Sequence, residues 1–286
     1  MYGAILGDII GSPFEFDRGD KTKDFKLFSR RSHFTDDSVM TLAVCEALLK
    51  VGQDVTVKEI EDAVISSMQS WGRRYPHAGY GGYFRRWLTA RHPEPYNSYG
   101  NGSAMRVSAA GWLYDSLEKT RTVAKATANV THNHPEGIKG ALAVCDAIFM
   151  ARFYFGGWNI EYSNPIDSDP DECKRRIKEH IENEYGYDLS MSLDEIRKNY
   201  EFDETCQGSV PQAIIAFLES TDFEDAIRNA ISIGGDSDTI AAITGSIAEA
   251  AYGISEDMKE MALSYLDEPL KDVLRRWKKY MRGDKS

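Results

Sequence analysis

Two short acidic segments stand near opposite ends of the chain, Thr35-Asp36-Asp37 and Gly234-Gly235-Asp236-Ser237-Asp238-Thr239. Each brings two carboxylates together with hydroxyl groups inside a few residues. Hard divalent cations take oxygen ligands, and more of them than one short segment supplies. A fold that closes the two segments on one another would make a site where neighbouring ions share carboxylates and clamp a reacting oxygen. Singly, either segment also reads as a helix N-cap, because Thr, Asp and Ser cap well and acids suit the positive end of a helix. Capping uses one acceptor, however, and each segment carries more than that. Gly234-Gly235 adds the backbone freedom that a close approach of chain and ligand requires.

A second group is Asn97-Ser98-Tyr99-Gly100-Asn101-Gly102-Ser103-Ala104-Met105-Arg106. Small residues there lead into a helix start, and exposed N–H groups in such a turn suit an anion such as a pyrophosphate. Gly-Asn-Gly turns are common in loops that bind nothing, and the same holds for Gly79-Tyr80-Gly81-Gly82. Tyr83, Phe84, Trp87 and Tyr99 could stack on a base, although core packing accounts for most rings of this kind. Thr131-His132-Asn133-His134-Pro135 holds two histidines with no third soft ligand near in sequence. Loop structure is the simpler reading there, and the acids elsewhere favour Mg2+. Asp8 and Glu15 are acids in an apolar, glycine-rich opening segment. Such acids are often hydrogen-bonded structural groups, but Glu15 could reach a metal or a water. The chain has no Gly-x-Ser-x-Gly elbow and no Walker loop.

These residues need a scaffold, and helical patterning dominates the chain. Apolar spacing predicts helices over 38–51, 57–71, 137–155, 211–219, 223–233, 239–252, 257–266 and 270–281. Convincing alternating strands are missing, so the expected class is all-α. The 286 residues, 42% hydrophobic, suffice for a substantial core, and no low-complexity linker divides them; residues 1–286 read as a single domain. Residues 159–202 are strongly polar, with Pro165, Pro170 and a charged helix candidate at 171–184. They read as a surface excursion, or as a cap that selects substrate. A net charge of -11 and the lack of a Lys/Arg stripe argue against nucleic-acid binding. Cys45, Cys145, Cys173 and Cys206 form no CxxC pair and read as reduced packing residues. No basic n-region precedes the apolar start, which Asp8 interrupts, and no run reaches the roughly 20 apolar residues of a membrane helix. A soluble, cytoplasmic protein without membrane contact is expected.

In this order the segments resemble the ADP-ribosylglycohydrolase family, which includes the dinitrogenase-reductase-activating glycohydrolases. The resemblance runs through Gly3-Ala4-Ile5-Leu6-Gly7-Asp8, Thr35-Asp36-Asp37, Gly100-Asn101-Gly102-Ser103-Ala104-Met105-Arg106, Thr131-His132 with Pro135, and Gly234-Gly235-Asp236-Ser237-Asp238-Thr239. It implies an orthogonal multi-helix fold with a central metal cleft holding two Mg2+ (or Mn2+) ions. It implies Thr35, Asp36, Asp37, Asp236, Asp238 and Thr239 as metal ligands, with Glu15 at the cleft edge. Ser98, Tyr99, Gly100, Asn101, Gly102 and Ser103 would line the ADP-ribose, and His132 would contact it. Some arginine-directed members carry Asp where this chain has Asn97. The implied partner is an ADP-ribosylated protein or an ADP-ribose-containing small molecule. The implied reaction is hydrolysis of the glycosidic bond, with Asp36, Asp37 or Glu15 taking the proton of the attacking water and the sugar developing oxocarbenium character. A guanidine leaves readily because its conjugate acid is stable, so N-linked ADP-ribosyl-arginine is the expected substrate, ahead of O-linked serine or O-acetyl derivatives.

Overall fold

A computed structural model describes residues 1–155 and 169–283. Among the described residues the chain is all-α, with fifteen helices and no strand. In chain order these are α1 (Tyr2–Gly11), α2 (Asp36–Val51), α3 (Val57–Arg74), α4 (Gly82–Thr89), α5 (Gly102–Met105), α6 (Ser108–Leu113), α7 (Leu117–Asn129) and α8 (Pro135–Tyr154). They continue as α9 (Pro170–Tyr185), α10 (Leu193–Asn199), α11 (Cys206–Leu218), α12 (Phe223–Ser232), α13 (Ser237–Tyr252), α14 (Glu256–Tyr265) and α15 (Glu268–Met281). All eight predicted apolar helices are present, with ends displaced by a few residues. The largest displacement is at α11, which starts at Cys206, so that Pro211 falls inside it. Thr205 explains the earlier start, since its hydroxyl accepts from Gly208 N at 3.1 Å and nucleates the turn before the proline.

The centre of the molecule is α13, which is buried on every face from Ser237 to Ala250 and packs against α1, α8, α11 and α12. Its sequence is small and apolar all round, as a fully buried helix requires. Helix α1 lies along it and is itself wholly buried. The apolar periods did not predict α1, because three glycines in ten residues cost about 1 kcal/mol each of helix propensity. Here the glycines earn their place in packing. A Cβ at Gly7 would stand 2.1 Å from the Ala241 carbonyl oxygen, and one at Gly11 would stand 2.6 Å from Asp238 Cα. Only bare backbone lets α1 come this close, and Glu249 fastens the start of the pair by accepting from Gly3 N at 2.7 Å.

Part of the polar segment, 159–168, lies outside the described residues. The rest is no mere surface excursion. Cys173, Ile177 and Ile181 form a buried stripe on α9, which packs on α8, and Tyr187, Leu189, Leu193 and Ile196 are buried after it. The charged face of α9 masked this stripe in the composition. All four cysteines are buried and none forms a disulfide. No helix among the described residues is long and apolar enough to cross a membrane.

Glu46 ties three helices together. It accepts from Trp71 Nε1 at 2.9 Å and Arg276 Nη2 at 2.7 Å, joining α2, α3 and α15, with Lys50 at 3.2 Å. Burial pushes its carboxyl up, but Arg276, Trp71 and Lys50 outweigh this and hold it below its ordinary value. A depressed carboxyl contributes stability above its unfolded value of 4.5 and loses it as pH falls toward the folded value. Glu46→Gln should therefore cost about 1–3 kcal/mol at neutral pH. In urea denaturation the gap to the parent should narrow as pH falls below 4.5 toward the folded value; a gap independent of pH would contradict this role.

Candidate active site

Helix α1 delivers Asp8 to the start of α2. Its carboxylate accepts from Thr35 N at 2.9 Å, Thr35 Oγ1 at 2.7 Å, Ser38 N at 3.0 Å and Ser38 Oγ. These four donors engage both oxygens of Asp8, which makes it the brace that fixes the first turn of α2. Thr35 is the N-cap of that turn, accepting from Asp37 N at 3.3 Å, so the capping reading of this segment holds. The same turn leaves carboxylates over. Asp36 N bonds Ala78 O at 2.7 Å, and Gly79, at φ +115°, gives the Asp36 carboxylate room: a Cβ there would lie 2.9 Å from its Oδ1.

The second segment arrives at the N-terminus of α13. Gly234 and Gly235 take φ values of +83° and +71°, the left-handed turn that their sequence suggested. Gly235 N is held by Asp17 Oδ1 at 2.7 Å. Asp236 caps no N–H with its side chain; its Oδ2 instead accepts from Asn101 Nδ2 at 2.6 Å. Asp238 Oδ1 accepts from Thr239 N at 3.0 Å.

Because α1 brings Gly11 against Asp238, the two segments meet. Carboxylate oxygens of Asp8, Asp37 and Asp238 lie within 4.8 Å of one another, and so do those of Glu15, Asp236 and Asp238. Asp238 belongs to both groups. Asp37 Oδ2 is buried with no hydrogen-bond partner. Burial, then the crowd of neighbouring acids, pushes Asp37 and Asp238 well above the ordinary carboxylate range. The same causes raise Asp36 to about 8 and Glu15 to about 7. An orphaned buried oxygen among all-oxygen donors fits a hard divalent cation, which would supply the missing counter-charge.

Glu15, Asp36, Asp37, Asp236 and Asp238 line a cleft of about 590 Å³. Ser98, Gly100, Asn101, Gly102, Arg106 and His132 line it too, and the Asn101–Asp236 bond joins the glycine turn to the acids. The loop 96–98 is pinned there by Thr131 O, which accepts from Tyr96 N at 3.3 Å and Ser98 N at 3.4 Å. Asn97 N bonds Asn133 Oδ1 at 2.7 Å, while His134 caps α8 by accepting from Glu136 N at 3.1 Å. The two histidines thus separate: His132 faces the cleft and His134 serves the helix.

Of the residues singled out from the sequence, Glu15, Asp36, Asp37, Ser98, Tyr99, Gly100, Asn101, Gly102, His132, Asp236, Asp238 and Thr239 all line this cleft. Thr35 and Ser103 sit behind its wall, Thr35 donating to Asp8 and Ser103 to Gly137 O at 2.7 Å. The Ser103 side chain therefore supports the fold of the turn and does not line the cleft. The helix expected after the glycine turn, α5, spans only Gly102–Met105, too short for much of a macrodipole. Positive charge beside the glycine turn comes instead from Arg106, buried and facing the cleft, to which sequence reasoning gave no role. Also missed were Phe16 and Phe202, exposed rings 5.0 Å apart at the rim, and Glu204 and Thr205. Nothing in local patterning marks them. Of the four rings considered for stacking, Tyr83 and Tyr99 are exposed at the cleft, while Phe84 and Trp87 are buried.

The model of the family described as ADP-ribosylglycohydrolase matches residues 1–282. Among curated proteins the chain is 27% identical to ADP-ribosylhydrolase ARH3 of Bos taurus and 26% identical to that of Homo sapiens. Each alignment covers 90% of this chain, with 84% of the bovine and 85% of the human protein. It is 25% identical to ADP-ribosylarginine hydrolase Tri1 of Serratia proteamaculans, over 89% of this chain and 71% of that protein. A solved chain from an ADP-ribosylglycohydrolase-related protein complex shares the fold, with TM-score 0.66 and 21% identity, covering 99% of this chain and 95% of that one. A cleft that joins an acid cluster to a glycine-rich turn, on a helical scaffold matched from end to end, makes this chain a member of the ADP-ribosylglycohydrolase family.

Proposed function

We propose that this protein hydrolyses the N-glycosidic bond of ADP-ribosyl-arginine in a Mg2+-dependent reaction and releases ADP-ribose. The observation that carries this reading is that one cleft is lined both by a cluster of acids and by glycine-rich turns with a buried guanidinium. An ADP-ribosylated arginine carries the complementary charges, a diphosphate and a cationic guanidinium. The exposed pair Phe16 and Phe202 stands at the rim, and the guanidinium of Arg18 already lies 5.2 Å over the Phe16 ring. That face therefore accepts a guanidinium by cation–π attraction.

Asp36, Asp37, Asp236, Asp238 and the hydroxyls of Thr35 and Thr239 would hold two Mg2+ (or Mn2+) ions. When bound, such ions supply Lewis acidity, which orients the ribose hydroxyls and activates water. The remaining steps belong to the chain's own side chains. Glu15 and Asp36, partly open to the cleft, take the proton of the attacking water. Asp37 stabilises the positive charge that develops on the sugar. Ser98, Tyr99, Gly100, Asn101 and Gly102 hold the ADP-ribose, with Tyr99 free to stack on the base.

One observation favours a second reading. Glu15 sits beside Asp236 in the cleft lining and is only half-buried, and a carboxyl so placed could protonate an alkoxide leaving group. Serine-linked ADP-ribose is therefore the rival substrate. Chromatography of arginine- and serine-ADP-ribosylated peptides, incubated with Mg2+ or with EDTA, separates the two. Release of intact ADP-ribose from the arginine peptide with Mg2+ alone is expected. Release from the serine peptide only would transfer the assignment to the O-linkage. Binding of ADP-ribose without turnover of either peptide would make the protein a reader of the modification.

A further inference from the structure

Among the described residues Arg106 has no carboxylate partner. Its Nη2 donates to Thr131 Oγ1 at 2.7 Å and to Thr127 O at 3.3 Å, its Nε has no partner, and its guanidinium lies 5.8 Å from the Phe84 ring centroid. A guanidinium only donates, so the Thr131 hydroxyl must accept from it. The same hydroxyl lies 2.7 Å from His132 Nδ1. A hydroxyl has a single proton, and among the described residues no other hydrogen bond engages Thr131 Oγ1. That proton therefore points at Nδ1, which must be the bare, accepting nitrogen of the ring. With a proton on Nδ1, the hydroxyl would face two donors and its own proton would be buried without an acceptor.

The direction of this chain decides what His132 offers the cleft. With Nδ1 bare, the ring of a neutral histidine carries its proton on Nε2. Burial, then the charge of Arg106, holds His132 well below its usual value, which keeps the ring neutral. Nε2 lies on the side of the glycine turn, where a Cβ added at Gly102 or Gly100 would stand 3.4 or 3.6 Å from it. Both glycines line the cleft. The group presented there is thus an N–H, which attracts a phosphate oxygen, and not a lone pair, which would repel it.

We propose that Arg106 and Thr131 are positioning residues that lock His132 in its neutral Nε2–H form, so that the cleft presents a fixed donor to a phosphate oxygen of its ligand. Only the identity of the ligand rests on the function proposed above; the relay itself does not.

Long-range 1H–15N correlation spectra of the whole chain with 15N-labelled histidine read the tautomer directly, with His132→Gln assigning the signal. The parent should show a protonated Nε2 and a bare Nδ1 at His132. Thr131→Val removes the relay hydroxyl and should turn this signal into a mixture or into the Nδ1–H form. ADP-ribose affinity, by calorimetry, should fall about tenfold, as expected for losing one hydrogen bond to a charged group. Thr131→Ser keeps the hydroxyl and should restore both properties. A proton on Nδ1 in the parent would overturn the proposal without reference to any variant. So would a Thr131→Val protein with unchanged tautomer and affinity. Inorganic pyrophosphate is the second probe. If the parent binds pyrophosphate but not ADP-ribose, the functional reading falls and the relay stands. If it binds neither, the ligand half of this proposal is overturned.

Discussion

Asp238→Asn should abolish hydrolysis and, at the same time, make the cation-free protein more resistant to heat. The two effects have one cause. Asp238 contributes to both carboxylate groups and is almost fully buried. Burial, followed by Asp236, Asp37, Glu15 and Asp8, raises its carboxyl far above the ordinary range. A carboxyl raised on folding costs stability above its unfolded value, because folding must either bind a proton there or bury an unpaired charge. Asparagine keeps the shape and removes that cost. A gain of about 1 kcal/mol would raise Tm by roughly 2–4 °C in a chain of this size. With Mg2+ the order should invert. The parent gains about 2.7 kcal/mol at a hundredfold excess of Mg2+ over its Kd, and the variant gains little. Activity should fall about a thousandfold or more, which corresponds to about 4 kcal/mol of transition-state stabilisation. Scanning calorimetry with Mg2+ and with EDTA, beside the peptide assay, gives both readouts. A variant that keeps its activity, or that is less stable than the parent in EDTA, would sink the assignment of Asp238 to a cation site.

The second large effect is predicted at a residue that carries no charge itself. Gly7→Ala should destabilise the protein by about 3 kcal/mol or more and weaken cation binding with it. The added methyl would lie 2.1 Å from the Ala241 carbonyl oxygen and 2.5 Å from Ala242 N, both backbone atoms with no rotamer to retreat into. The helices must move apart, and overpacking of a buried contact costs typically 1–3 kcal/mol where the surroundings can yield. Two rigid buried helices yield poorly. Moving α1 also shifts Asp8, which braces the first turn of α2, relative to Asp238 at the start of α13. Urea denaturation reads the first effect, and Mg2+ titration of the folded variant reads the second. An equally small change at Gly82, which has nothing within 4 Å of an added Cβ and no positive φ, is the control for steric contact in the urea measurement. A Gly7→Ala protein as stable as the parent would mean that the approach of α1 to α13 does not set the geometry of the acids.

The sequence by itself determined the class of the fold and most of the parts. Apolar residues at helical spacing mark a helix wherever one face is buried and the other is wet, which is why α3, α12 and α15 could be read directly. The acids of the two clusters, the glycine turn and His132 were legible because their chemistry is written in short segments. Local information failed where glycines interrupt a buried helix or where a face is hidden by its surroundings. Helix α1 has no polar face to give it a period, and its glycines argue against a helix until α13 is laid beside them. The apolar stripe of α9 is diluted by its charged face, so composition alone put it on the surface. Only the tertiary structure decided what each acid does. It made Asp8 a brace with both oxygens engaged and left Asp37 with an orphaned oxygen, although both are buried aspartates in adjoining segments. It also brought Arg106, Phe16 and Phe202 to the cleft from positions with no mutual signal in the sequence. The physical reason is range. Helix periodicity and turn chemistry act over a few residues, whereas crowding, desolvation and hydrogen-bond direction depend on groups that meet only when the chain has folded.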